Sequence, residues 1–231
     1  MATDKRLLKE YCAELNVTVS DDAAEILSAF SEKVLVANAK FNLTSITNEP
    51  DFTEKHLIDS AVGADLPPYG SSLCDIGAGA GFPSVPLAVI RPDITVTAID
   101  STAKKTSFIK QSASELNITN VSVFTGRAEE CAELREKFDC ACARAVAPLA
   151  ALLELAFPLL KTGGLFFAYK TDKSELPSAC GALKALNGEF ISDKSFSLPS
   201  GGSRCILIFR KLKPTPVKYP RPYASIKKNP L

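Results

Sequence analysis

Apolar residues recur at helical spacing through the first quarter of the chain and then give way to short blocks of strand length. Leu7, Leu8, Tyr11, Cys12 and Leu15 fall on one helical stripe. Behind the cap candidates Ser20 and Asp21, a second stripe runs through Ile26, Leu27, Phe30 and Val34. A third helix is expected after Pro50, carrying Lys55, His56, Leu57 and Asp59. No block in residues 1–68 reads as a strand, so this stretch is expected to form a helical extension packed on the rest of the chain. Pro67-Pro68-Tyr69-Gly70 marks its end.

From Ser72 the period changes. Apolar, β-like runs at 73–76, 94–99, 121–124, 139–143 and 165–169 are separated by helical stretches at 83–90, 103–116, 128–138 and 149–160. Strands alternating with helices predict an α/β architecture with a mostly parallel sheet covered on both faces. A further helix is expected over 174–186. Two last strands, over 190–198 and 205–211, flank Pro199-Ser200-Gly201-Gly202, which suits a hairpin and predicts an antiparallel edge to a seven-stranded sheet. From Leu212 onward Pro214, Pro216, Pro220, Pro222 and Pro230 predict chain without regular structure. The expected division is a helical extension over 1–68, a core over 69–212 and a basic, proline-rich tail over 213–231.

Composition bounds the possibilities. The 231 residues are 46% apolar, with 27 Lys plus Arg against 26 Asp plus Glu, an ordinary globular balance, and the length suits one large domain or one domain with a small appendage. Seven scattered cysteines without a C-x-x-C pair are expected to be buried thiols, neither a disulfide framework nor a metal site. No apolar run of membrane-spanning or signal-peptide length is found, so a cytoplasmic protein is expected.

The sharpest local feature is Asp75-Ile76-Gly77-Ala78-Gly79-Ala80-Gly81-Phe82-Pro83, at the end of the first expected strand. Glycines there let the backbone turn tightly and approach a ligand, with amides expected to face it. Phe82 stands where a dinucleotide fingerprint has its third glycine, and Pro83 and Pro86 remove amides a phosphate would use, so an adenosine without phosphates fits better. Asp100 ends the second strand, where a carboxylate can accept from a ribose diol. Arg127-Ala128-Glu129-Glu130 follows the third strand, where a backbone amide and carboxylates can read an adenine edge. A glycine loop can also be a plain turn, and Asp100 and Glu129 can be helix caps. Taken together, their order and spacing match the layout of the seven-stranded, Rossmann-like class I S-adenosylmethionine-dependent methyltransferases.

At these residues the chain resembles the bacterial RsmG (GidB) family, the guanine-N7 methyltransferases of small-subunit ribosomal RNA. The resemblance runs through Phe41-Asn42-Leu43-Thr44-Ser45-Ile46, Lys55-His56-Leu57-Ile58-Asp59-Ser60, the glycine loop, Asp100-Ser101 and Lys104-Lys105. It continues through Phe138-Asp139, Ala143-Arg144-Ala145 and Lys218-Tyr219-Pro220-Arg221. It implies S-adenosylmethionine at Gly77, Phe82, Ala128, Glu129 and Arg144, with Gly79 in the same loop, and a target guanine in the 530 loop of 16S rRNA. The implied partner is 16S rRNA or the small ribosomal subunit, the implied enzyme a monomer without metal.

That chemistry suits the residues. Guanine N7 is a lone-pair acceptor on the base edge and needs no deprotonation, so in-line displacement asks for positioning and no general base. Arg144, just past the fourth strand, is the candidate for contact with cofactor or base; its alternative is a salt bridge to Asp139 or Glu154. His56, the only histidine, reads as a structural hydrogen-bonder. Cys142 lacks the Pro-Cys context of a carbon-5 methyltransferase nucleophile. Two other readings stay open: a NAD-dependent oxidoreductase on a similar fold, and a non-catalytic rRNA-binding relic. After Asp193 there are nine basic residues and no acidic one, against a net charge of −8 over residues 1–193. Lys218, Arg221, Lys227 and Lys228 in the tail are therefore expected to contact RNA phosphates, with Tyr219 and Tyr223 as a stacking surface.

Overall fold

A computed structural model describes residues 3–231; residues 1 and 2, the start of the expected extension, lie outside the described residues. Side-chain caps set the first helices. Asp4 accepts the Leu7 amide (2.9 Å) at the start of α1 (Lys5–Glu14), and Ser20 accepts the Ala23 amide (3.1 Å) at the start of α2 (Asp21–Asn38). Asn48 accepts the Asp51 amide (3.1 Å) and opens a third, composite helix: α3 (Glu49–Phe52), a π-helical segment Thr53–Ile58, and α4 (Asp59–Ala61). Leu8, Cys12, Leu27, Phe30 and Val34 are buried, as their stripes predict.

Beyond them the chain builds β1 (Ser72–Ile76), α5 (Ser84–Ile90), β2 (Thr95–Asp100), α6 (Ala103–Glu115), β3 (Val121–Thr125), β4 (Phe138–Arg144), α7 (Leu149–Ala156), β5 (Leu160–Lys170), α8 (Cys180–Leu186), β6 (Gly188–Ser197), β7 (Ser203–Lys211) and α9 (Tyr223–Lys228). The seven strands form one sheet in the order β3-β2-β1-β4-β5-β7-β6, with β1 to β5 parallel. The expected hairpin forms, but its second strand is inserted: β7 pairs antiparallel with both β5 and β6, leaving β6 at the edge. Burial explains the choice. Ile206, Leu207 and Phe209 on β7 are completely buried, whereas Phe190 and Ile191 on β6 stay exposed.

Side chains alternate across the sheet into two cores. Leu73, Cys140, Cys142, Phe167 and Ile206 meet the N-terminal helices and α5 on one face, while Cys74, Ala141, Phe166, Leu207 and Phe209 meet α7 and α8 on the other. Six of the seven cysteines are buried free thiols; Cys180 is exposed. Among the described residues, no helix is long and apolar enough to cross a membrane.

Two expectations about local structure fail. Residues 128–138 form two 3-10 turns, Ala128–Glu130 and Ala132–Leu134, instead of a helix; of the first seven residues only Ala128 and Cys131 are buried, too few for an apolar stripe. The tail, expected to be irregular, ends in the short helix α9, because Ile226 is fully buried against the second core.

Candidate active site

The strand order reverses beside β1, which has β2 on one side and β4 on the other, and a ligand crevice is expected at the carboxyl ends of strands at such a point. A cleft of about 570 Å³ lies there, lined by Gly77, Gly79, Phe82, Asp100 and Arg144, with Lys55, His56 and Asp59 from the helical extension. A recess of about 330 Å³ continues from it past Gly77 and Asp100 to Ala128, Glu129 and Tyr223. The structure thus brings together Gly77, Gly79, Phe82, Asp100, Ala128, Glu129 and Arg144.

The glycine loop is built by its backbone. Gly77 has φ +72°, and a Cβ there would stand 2.5 Å from a methyl of Val146. Gly79 has φ +58°, and a Cβ there would meet nothing nearer than the Gly77 carbonyl at 3.8 Å, on the cleft side. The expectation that the loop amides face a ligand is corrected in part. Gly77 and Ala78 both donate to the Ile99 carbonyl (2.8 and 3.0 Å), and Gly79 donates to Asp100 Oδ2 (3.0 Å). The loop is laced to the end of β2, because parallel neighbours leave the Ile99 carbonyl and the Asp100 carboxylate beside it. Asp100 Oδ1 also takes the Thr102 amide (2.8 Å), so this buried carboxylate is both loop anchor and cleft wall.

Two acceptors in this region lack partners. Asp75 is 1% exposed; its Oδ2 accepts from the Ser84 amide and hydroxyl, but Oδ1 has no hydrogen bond. Burial outweighs those hydrogen bonds and pushes its pKa up to about 6. Glu129 Oε1 is likewise buried and without a hydrogen-bond partner, with only the Arg127 guanidinium at 3.6 Å. Orphaned acceptors of this kind call for a donor-bearing ligand or water.

Arg144 takes neither of its expected partners. Asp139 pairs with Lys161 and Glu154 with Arg221, whereas Arg144 Nη1 donates to Asp59 Oδ2 (2.8 Å) and to the Lys55 carbonyl (2.7 Å). Its Nη2 lies 3.0 Å from His56 Nδ1, and its guanidinium stands over the Phe82 ring at 5.7 Å. His56 stacks on Phe82, centroids 4.6 Å apart and planes 10° from parallel. Since an arginine nitrogen can only donate, Nδ1 is the acceptor and Nε2 carries the proton, donated to Thr44 Oγ1 at 2.7 Å. Burial, then the Arg144 charge, pushes the His56 pKa down to about 3. His56 is therefore a neutral hydrogen-bonder between the extension and β4. Sequence reasoning gave no role to Asp59 or Thr44, whose only signal was membership in the family-like segments of the extension, and it expected Tyr223 on an RNA-stacking surface, whereas the structure sets Tyr223 in the lining of the recess.

The basic segment is largely folded against acids. Lys194 pairs with Asp65, Arg204 with Asp59, Arg210 with Glu189, Lys211 with Glu136 and Arg221 with Glu154. Tyr219, expected as a stacking surface, is buried, while Lys213, Lys218, Lys227 and Lys228 remain exposed. Cys142 is completely buried and its thiol is pushed far up by burial, which removes it as a nucleophile.

Comparison with known proteins gives this geometry a family. A family profile described as GidB, rRNA small subunit methyltransferase G, matches residues 23–191. The ribosomal RNA small subunit methyltransferase G of Alkaliphilus metalliredigens (strain QYMF) is 36% identical over 235 residues, covering 98% of each chain. That of Staphylococcus aureus (strain JH9) is 39% identical over 231 residues, covering 97% of each. Among solved structures, M. jannaschii TYW2 in complex with AdoMet superposes with a TM-score of 0.55 at 15% identity, covering 67% of this chain and 75% of that one. The seven-stranded, mostly parallel sheet with an N-terminal helical extension is the class I methyltransferase fold, and the chain belongs to the rRNA small subunit methyltransferase G family.

Proposed function

We propose that the protein methylates N7 of a guanine in the 530 loop of 16S rRNA, in the cytoplasm, using S-adenosylmethionine and no general base. The observation that carries this reading is the convergence of the glycine loop, Asp100, Glu129 and Arg144 on one cleft whose only histidine has both ring nitrogens engaged. The residues fit the cofactor: two glycines at positive φ, an acid at the end of β2, and a buried carboxylate with an orphaned oxygen after β3. When bound, S-adenosylmethionine supplies an electrophilic methyl group on a sulfonium sulfur.

This chain's residues then divide the work. Asp100 offers carboxylate lone pairs to a ribose diol, and Glu129 Oε1 offers an acceptor to the exocyclic amine of adenine. Phe82, held between Phe30, Phe52 and His56, fixes the far end of the loop. Arg144 presents a guanidinium at the cleft wall, where it can favour O6 of the incoming base. N7 carries no proton to remove, so holding it in line is the catalytic task.

Labelled S-adenosylmethionine incubated with deproteinised 16S rRNA and with 30S particles tests the reading. Label in one guanine, with strand scission there after borohydride and aniline treatment, is the expected result. Transfer to neither substrate, or label at a site resistant to scission, overturns it.

A further inference from the structure

The recess beyond Asp100 has one aromatic wall among its described lining residues, and it comes from the far end of the chain: Tyr223, the first residue of α9. Ile76, Ile99, Val146 and Leu155 give the rest of that lining aliphatic surface, and the charged Arg127 and Glu129 face the same space. A purine gains from a flat aromatic face as well as from acceptors for its edge, and the strand ends supply acceptors and aliphatic surface but no ring. The Arg127 guanidinium stands over the Tyr223 ring, 5.9 Å from its centroid.

The fold fixes this ring in place. Arg221, two residues earlier, is clamped by the fully buried Glu154. Arg135 holds the segment through the carbonyls of Tyr219 (2.8 Å) and Thr215 (2.6 Å), and Ile226 anchors α9 in the second core. The tail is thus part of the cleft, whatever its lysines do outside.

We propose that Tyr223 is the stacking face for the adenine ring of the methyl donor, so that the C-terminal segment completes the cofactor site. This rests on the reading of the cleft as the S-adenosylmethionine site. A purine stacked on an aromatic ring gains affinity from any base, and removing the ring is expected to weaken binding about tenfold.

Calorimetric titration of the full chain with S-adenosylhomocysteine tests the proposal without turnover. Tyr223→Ala should raise the Kd about tenfold and Tyr223→Phe should hold it within about twofold, since the ring and not the hydroxyl is required. Tyr223→Leu keeps apolar packing against the core, so a raised Kd with an unchanged melting temperature separates stacking from folding. Wild-type affinity in both the Ala and Leu variants, with weakened binding in Asp100→Ala, overturns the role of Tyr223 and leaves the cofactor site standing. Absence of binding by the wild-type chain overturns both.

Discussion

Arg221 grips Glu154 with both arms: Nε donates to Oε1 (2.8 Å), Nη2 donates to Oε2 (2.6 Å), and the Arg221 amide adds a third bond to Oε1 (2.9 Å). Glu154 is completely buried on α7, so the last segment of the chain supplies the counter-charge for a carboxylate inside the core. An arginine that looked free for RNA is instead what ties the tail to the sheet.

Breaking that pair should be costly. Arg221→Ala leaves an unpaired buried carboxylate and is expected to lower stability by about 3 kcal/mol, read from urea denaturation. Arg221→Lys should recover part of it, because an ammonium cannot match both carboxylate oxygens. Equal stability of the Ala variant would show that the tail is held by other contacts.

The exposed lysines are the ones left for phosphate. Neutralising Lys218, Lys227 and Lys228 together should weaken RNA binding and flatten its dependence on salt, by about 0.7 in the logarithmic slope for each lost contact to single-stranded phosphate. Trimming after Leu212 would also remove the buried Tyr219 and Ile226 and is expected to destabilise the fold. An unchanged salt slope in the triple variant would place the RNA contacts elsewhere.

Stability should respond to pH through two opposed groups. His56 has a folded pKa of about 3 against an ordinary 6.5, so the unfolded chain gains a proton that the folded one refuses, and stability falls as pH drops from 6.5. Asp75 has a folded pKa of about 6 against 3.8, so it favours the folded state at low pH and loses that contribution as pH rises from 3.8 to 6. Between about pH 4 and 6 the two largely cancel. His56→Gln should unmask a rise in stability on acidification, and Asp75→Asn a fall, each about 1 kcal/mol per pH unit. Parallel curves for the two variants would contradict these assignments.

The glycines at positions 77 and 79 should not be equivalent. Gly77→Ala strains a positive φ and drives a methyl into Val146, whereas Gly79→Ala strains φ alone. We expect Gly77→Ala to lower the melting temperature more. Gly79→Ala should chiefly weaken S-adenosylhomocysteine binding, because its methyl enters the cleft. Identical thermal shifts would count against the Val146 clash.

Local signals determined much of this protein. Helical periodicity located the helical extension, and short apolar runs alternating with helical stretches located all seven strands, because burial constrains where apolar residues stand in any sequence that folds. The glycine loop, Asp100 and Glu129 were legible for a related reason: strand ends and tight turns restrict which residues can stand there. The tertiary structure decided what depends on contacts between distant parts of the chain. Nothing local to β7 says that it slots between β5 and β6, since that depends on which strand has more apolar surface to bury. Nothing near Arg144 names Asp59, 85 positions away, as its partner. The charge asymmetry was real along the chain, yet five of the nine basic residues after Asp193 fold onto acids before or beside them. A charge count records composition, whereas ion pairing is set by distances that only the packed chain defines.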